Sequence, residues 1–490
     1  MAALVLGYFL YGAFVEKVFR PDFKRVTPAL SKTDGLDFVP MPTWKIFMIQ
    51  FLNIAGTGPI FGAIMGSLFG PSSYLWIVLG CIFAGAVHDY FSGMISIRNG
   101  GCNLPAIIGE QLGNGTKKAM MVFATTMLLL VGAVFVFSPA IILGDITAGG
   151  TASSVRIWSI VILLYYMLAP FLPIDKLIGR IYPVFAVALL FMAAALFICL
   201  LIKWPASQME LWDGLANRSP QSGSIFPYLF ITIACGAISG FHATQSPMMA
   251  RCMRNEKYGR PVFYGSMIVE GMVALIWAAV ASYFFYGGGN VEMGAEGVTA
   301  APAVVTTVSK HWLGALGGVL AILGVVAAPI TSGDTALRSA RLMLAEAFKL
   351  DQKPMRNRLL IAIPIFIGTA LLLWFSIADA DGFNTIWRYF GWANQTLAAI
   401  TLWAITAYLM RKRKGLFYLV ALIPAVFMTS VCATFICTAR IGLNLPATAT
   451  PWIGIAVAVA ALAGGGLMRR TISREKTICP RPHCGLALPK

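Results

Sequence analysis

Runs of roughly twenty apolar residues, each closed off by Pro, Gly or charge, recur along all 490 residues and leave little choice of fold. A run of that length matches the hydrocarbon core of a bilayer when it is helical. A soluble domain is about one quarter charged. Here charged residues make up 12% and apolar residues 58%. A soluble fold is therefore excluded, and the chain reads as one membrane domain, 1–490, all-α and polytopic.

Thirteen spans are expected, at about 2–19, 45–70, 72–97, 117–146, 155–174, 178–203, 225–250, 261–286, 312–341, 357–378, 384–410, 415–437 and 450–468, followed by a basic, solvated tail at 469–490. The formal net charge of +17 raises nucleic acid as a partner. The basic residues sit in short segments between apolar runs, however, and form no aromatic-interleaved face. They fit the excess of Lys and Arg in cytoplasmic loops. With the N-terminus outside and the C-terminus cytoplasmic, only Arg156, Lys203, Arg218, Lys310, Arg388 and Arg440 of the 37 Lys and Arg fall on the outer side. The nine cysteines lie mostly inside apolar runs and give no disulfide framework. No nucleophile elbow, P-loop or HExxH is present, so neither an enzyme of those kinds nor an ATP-driven pump is indicated. No cofactor is expected beyond a coupling ion, H+ or alternatively Na+.

Two spans carry strings that a helix in lipid does not tolerate well. Asn53-Ile-Ala-Gly-Thr-Gly-Pro59 interrupts the second, and Cys235-Gly-Ala-Ile-Ser-Gly-Phe-His-Ala-Thr-Gln-Ser-Pro247 interrupts the seventh. They lie five spans apart, hence in opposite orientations. Two inverted five-helix repeats, about 45–203 and 225–410, would produce that pattern, with 2–19, 415–437 and 450–468 as extra helices. Freed backbone groups persist in a membrane only where protein buries them or they line a cavity. Asn53, Gly56, Thr57 and Gly58 on one break, and Ser239, Gly240, His242, Thr244 and Gln245 on the other, are the expected substrate-binding residues. Gly58, Gly62, Gly66 and Gly70 recur every fourth residue and read as a packing stripe.

Ionisable groups inside a span are costly and each asks for a role. His88 and Asp89 read either as a proton-handling pair or as a structural carboxylate near a broken helix. In Thr331-Ser332-Gly333-Asp334, the acid either pairs with Arg338 one turn on or joins the hydroxyls and the carbonyls of 53–59 in a sodium-like site. Glu270, midway along its span, is open between gating and structure. Asn394-Gln395-Thr396 reads as a helix bridge or as part of the pathway, with Asn394 counted among substrate candidates. Cys479, His483 and Cys484 make a weak zinc candidate, since zinc prefers four ligands in closer pairs.

At Asn53-IAGTGP-Ile60, Gly85-AVHDYFSG-Met94 with Arg98-Asn-Gly-Gly101, Ser239-GFHATQSPM-Met249 and Trp392-ANQTLA-Ala399, the sequence resembles the carbon starvation protein (CstA) family. The resemblance implies the amino acid–polyamine–organocation superfamily and a LeuT-like 5+5 inverted repeat. It also implies uptake of peptides or, in some relatives, of pyruvate with a proton, induced when carbon runs short, in a bacterial inner membrane. Many members of the family are longer, so the chain reads as a compact form. Other expectations from the residues are a sodium-coupled carrier of another small carboxylate or amino acid, a non-transporting nutrient sensor, or a channel, which would need a continuous polar stripe.

Overall fold

The computed structural model describes residues 1–35, 37–169, 174–203, 214–219, 223–286, 300–352, 354–379 and 381–478. These residues are helical or form turns and connections, and no strand occurs among them. In chain order the principal helices are α1 (Ala2–Phe9), α2 (Tyr11–Phe19), α3 (Thr43–Ile54), α4 (Gly58–Phe69), α5 (Ser72–Arg98), α6 (Leu104–Leu112), α7 (Asn114–Ala148), α8 (Ala152–Leu168) and α9 (Ile174–Lys203). They continue with α10 (Phe230–Thr232), α11 (Gly240–Ala250), α12 (Gly265–Tyr286), α13 (Ala300–Ala347), α14 (Met355–Ala378), α15 (Gly382–Lys412), α16 (Leu419–Thr438) and α17 (Thr450–Ile478).

Among the described residues, eight helices are long and apolar enough to cross a membrane, or nine if the bent pair α3 and α4 counts as one crossing. The other four expected spans are not among these. Helix α8 has 17 described residues, the 225–250 segment is broken, α13 runs on to Ala347 after a kink at Gly314, and α15 carries a polar interior face. The tail differs from expectation, because α17 runs unbroken through Arg469 and Arg470 to Ile478. Cys479, His483 and Cys484 lie outside the described residues.

The outer surface is apolar where helices are peripheral. Leu360, Ile363, Ile367, Leu371 and Trp374 recur at helical spacing along α14, all exposed. Trp452, Ile455, Val459 and Leu462 do the same on α17. Stripes of this size on a water-soluble surface would drive association, whereas in hydrocarbon they are at home. The interior holds the polar exceptions, among them Asn53, His88, Asp89, His242, Glu270, Asp334 and Asn394, all fully buried. The molecule is a multi-pass membrane protein.

Both expected breaks are present. Helix α3 stops at Ile54, and α4 restarts at Gly58 after a bend of 54°. Pro59 sits at the start of α4, where its missing N–H costs no helical bond. The second break is displaced. The chain leaves α10 at Ile233 (φ −89°, ψ 74°) and re-enters a helix at Gly240, after Ser239 in extended geometry. His242, Thr244, Gln245 and Pro247 are therefore helical, on α11, and do not belong to the unwound stretch.

The breaks lie against each other with no gap. Gly58 backs onto the Cys235 side chain, Gly62 onto the Thr232 carbonyl and Gly66 onto Ile233, so the glycine stripe is the surface on which the second broken helix rests. Gly70, at φ 87°, ends that stripe and turns the chain into α5.

One end of the bundle is closed by a charge knot. The buried Glu256 carboxylate, just beyond α11, accepts from the Asp22 amide at 2.7 Å and from Arg98 Nη2 at 3.2 Å, with Arg25 Nε at 3.8 Å. Arg98 also donates to the Arg20 carbonyl and lies over the Phe19 ring. The N-terminal helices are thereby joined to α5 and to the segment after α11.

A methyl group at position 62 would lie 2.7 Å from the Thr232 carbonyl oxygen, a backbone atom that cannot step aside. Gly62→Ala is expected to destabilise the protein by about 1–3 kcal/mol. Gly115→Ala, with nothing within 4 Å, is the neutral control. Thermal unfolding of the two detergent-solubilised variants against the parent checks this; equal melting temperatures would show that the breaks do not pack as described.

Candidate functional site

The second break needs a cap, because the first N–H groups of α11 have no helical acceptors. Ser239, at the N-cap position, does not supply it with its own hydroxyl. Asn394 of α15 does: its Oδ1 accepts from the Phe241 amide at 2.8 Å and from Ser239 Oγ at 3.0 Å. Gly240 allows the approach, since a methyl group there would run into the backbone of α15. Gln395 bridges the same helices by donating to the Phe230 carbonyl at 3.0 Å. Of the two roles open for the Asn394-Gln395 pair, these bonds describe the bridge.

The first break is bordered by α13. Ser332 Oγ shares its proton between the Ala328 carbonyl of its own helix at 2.8 Å and the Leu52 carbonyl, near the C-terminal end of α3, at 3.2 Å, and Thr335 Oγ1, bonded to the Ser332 carbonyl at 2.9 Å, lies 3.4 Å from Asn53 Oδ1. Thr331 Oγ1 returns to the carbonyls of its own helix. The Asp334 carboxylate accepts from the Tyr182 hydroxyl of α9 at 2.7 Å. Arg338, one turn on, donates to the Ala169 carbonyl at 2.9 Å. Tyr182 was not among the sequence candidates.

Several buried polar atoms at the breaks carry no hydrogen bond: Gln50 Oε1 and Nε2, Asn53 Nδ2, Thr57 Oγ1 and Gln245 Oε1. Leaving such a group unpaired costs about 1–3 kcal/mol, and a polar ligand or a water is what would complete the bonding. Gln50 escaped the sequence reading although it lies one turn before Asn53 on the same helix.

Beside the second break the structure assembles a chain of four ionisable side chains from three helices. His88 Nδ1 lies 2.8 Å from Asp89 Oδ1, both on α5. His242 Nδ1, on the first turn of α11, lies 2.8 Å from Asp89 Oδ2. The other face of the His242 ring presents Nε2 at 3.5 Å from Glu270 Oε2 on α12. All four side chains are fully buried. Sequence reasoning had His88 and Asp89 as a pair, His242 as a separate candidate, and left Glu270 without a neighbour. Among the described residues, no group of three or more His, Cys, Asp and Glu side chains is arranged to hold a metal ion.

The fold matches solved transporters at low sequence identity. The Eremococcus coleocola manganese transporter bound to an aromatic bis-isothiourea compound superposes with a TM-score of 0.55 at 12% identity, covering 90% of this chain and 99% of that one. A Na+-coupled sialic acid symporter in a substrate-bound outward-open state gives 0.53 at 14%, covering 95% and 97%. By sequence, an uncharacterized membrane protein of Haemophilus influenzae is 45% identical over 58% of this chain and 90% of its own. The peptide transporter CstA of Campylobacter jejuni is 28% identical over 86% of this chain and 77% of its own. The pyruvate/proton symporter BtsT of Escherichia coli is 25% identical over 91% and 81%. These relatives are transporters or unassigned membrane proteins, not enzymes. The family model described as carbon starvation protein CstA matches residues 1–157, 140–313 and 286–435, so the chain belongs to that family.

Proposed function

We propose that this protein is a secondary active transporter that imports small carboxylate-bearing solutes, peptides or pyruvate, by alternating access and with a proton. The observation that carries the reading is the apposition of two broken helices beside a fully buried His–Asp–His–Glu chain. Relatives bearing the names peptide transporter and pyruvate/proton symporter supply the substrate class and the coupling ion. The proposed arrangement is thirteen crossings in a bacterial inner membrane, N-terminus outside and C-terminus cytoplasmic. It has two inverted repeats at about 45–203 and 225–410, and expression rises when carbon runs short.

In this reading Asn53, Gly56, Thr57 and Gly58 form one wall of the substrate site. Ser239, Gly240, His242, Thr244, Gln245 and Asn394 form the other. The N-terminus of α11 carries a partial positive charge, worth about 0.3–1 kcal/mol to an anion in exposed settings and up to ~2 kcal/mol when partly buried. A carboxylate is the group that peptides and pyruvate share. The breaks are buried and in contact, so the site opens only as the two halves separate.

Sodium coupling is a second reading, favoured by one observation: Ser332 already reaches the Leu52 carbonyl at the end of α3, where hydroxyl and carbonyl oxygens would suit a small hard cation. Thr331 and Asp334 would belong to that site.

Accumulation of labelled pyruvate or dialanine in proteoliposomes separates the readings. An imposed acid-outside gradient is expected to drive concentrative uptake that persists when choline replaces sodium. Asp89→Asn is expected to reduce that accumulation to equilibration while leaving expression intact. Uptake that needs sodium and is lost in Ser332→Ala would replace the proton reading with the sodium one. Binding with no uptake under either gradient would leave a sensor.

A further inference from the structure

We propose that the coupling proton resides at the contact between His242 Nε2 and Glu270 Oε2, which makes Glu270 a proton-binding residue of the transport cycle. The inference rests on the transport reading above and assigns its ion site.

The argument is a count of protons. Asp89 faces two imidazole nitrogens, Nδ1 of His88 and Nδ1 of His242, both at 2.8 Å. If the carboxylate is ionised it accepts from both, and each ring carries its hydrogen on Nδ1. A neutral His242 then turns the lone pair of Nε2 toward Glu270. Neither Nε2 nor either Glu270 oxygen has a hydrogen bond, and all are buried. A lone pair facing a carboxylate in a dry interior is repulsive, and the site would hold two uncompensated carboxylates on either side of one ring.

One added proton removes the conflict. Placed on Glu270, it is donated to Nε2; placed on Nε2, it makes an imidazolium between two carboxylates. Moved on through the ring to Asp89, it leaves Nε2–H donating to an ionised Glu270. The three distributions contain the same single proton, so the count does not depend on which tautomer is chosen. Passage between them forms one N–H or O–H bond as another breaks, with no other change. The other titratable groups facing Glu270 are the Cys81 thiol on α5, which abuts Gly271, the Cys235 thiol in the second break, and Asp89 itself.

Position supplies the coupling. His242 is the third residue of α11, the half-helix whose N-terminus forms one wall of the substrate site. Asp89 and Glu270 lie on α5 and α12, so a shift of α11 by a few tenths of a nanometre disconnects the ring from one carboxylate or the other. Loading the proton and moving the half-helix are thus linked events.

The test uses Glu270→Gln, which matches the shape of the protonated acid and cannot release a proton. Wild type in proteoliposomes should accumulate pyruvate about tenfold per pH unit for one coupled proton. The variant should exchange internal for external pyruvate yet accumulate to a ratio of about one, with no substrate-dependent proton flux on an entrapped pH dye. Wild-type accumulation and proton flux in Glu270→Gln would overturn the assignment. Where that variant does not fold, Glu270→Asp decides. It keeps a titratable carboxyl one methylene further from His242; a shifted pH dependence of pyruvate-linked proton uptake against wild type supports the site, and an unchanged one overturns it. Absence of pyruvate and dialanine exchange in wild type would instead overturn the transport reading.

Discussion

Inside hydrocarbon a backbone N–H or carbonyl that leaves its helix has no water to turn to, and each unsatisfied group costs several kcal/mol. This protein breaks two helices in that setting, and much of its interior exists to make the breaks tolerable. Asn394 reaches across from α15 to cap α11. Ser332 reaches from α13 to the last turn of α3. Gly62 of α4 lets backbone lie on backbone, and Gly58 and Gly66 admit the Cys235 and Ile233 side chains, so the freed groups are enclosed by protein. Each device fixes a neighbour, and the helices around the breaks are placed by what the breaks require.

The same enclosure explains the concentration of buried charge. A carboxylate is stable there only with donors in place, and Asp89 has two imidazoles while Asp334 has the Tyr182 hydroxyl. Glu270 has neither, only the edge of the His242 ring at 3.5 Å. A buried acid without a donor beside a half-helix is the kind of exception that function retains.

The strings around 53–59 and 235–247 announced two interruptions because Gly, Pro and small polar residues clash locally with a lipid-facing helix, and local clashes are what a sequence displays. The displacement of the second break to 233–239 was not legible. Gly240 to Gln245 read as unwound, but a cap contributed from a residue about 150 positions away makes them helical. His88, Asp89 and His242 stood out as ionisable residues in apolar runs, whereas their joining to Glu270 is a tertiary fact about α5, α11 and α12. Gln50 and Tyr182 were overlooked for a common reason: a glutamine near a span end and a tyrosine in an apolar run are ordinary until their neighbours are known. Helical spacing offered Arg338 as one possible partner of Asp334, and spacing does not reveal that a tyrosine on α9 also holds the acid.

The knot at Glu256 bears on how the bundle opens. Its carboxylate joins the Asp22 amide, Arg98 and Arg25 immediately after α11 ends, and charge-assisted bonds of this kind are worth about 1.5–3 kcal/mol each. In the proposed alternating-access cycle, the N-terminal helices, which stand outside the two proposed repeats, would act as a latch on that half-helix. Release of cargo at that end would then require unfastening a segment that takes no part in binding it, and the balance between shut and open forms would be adjustable from the N-terminus without altering the pocket.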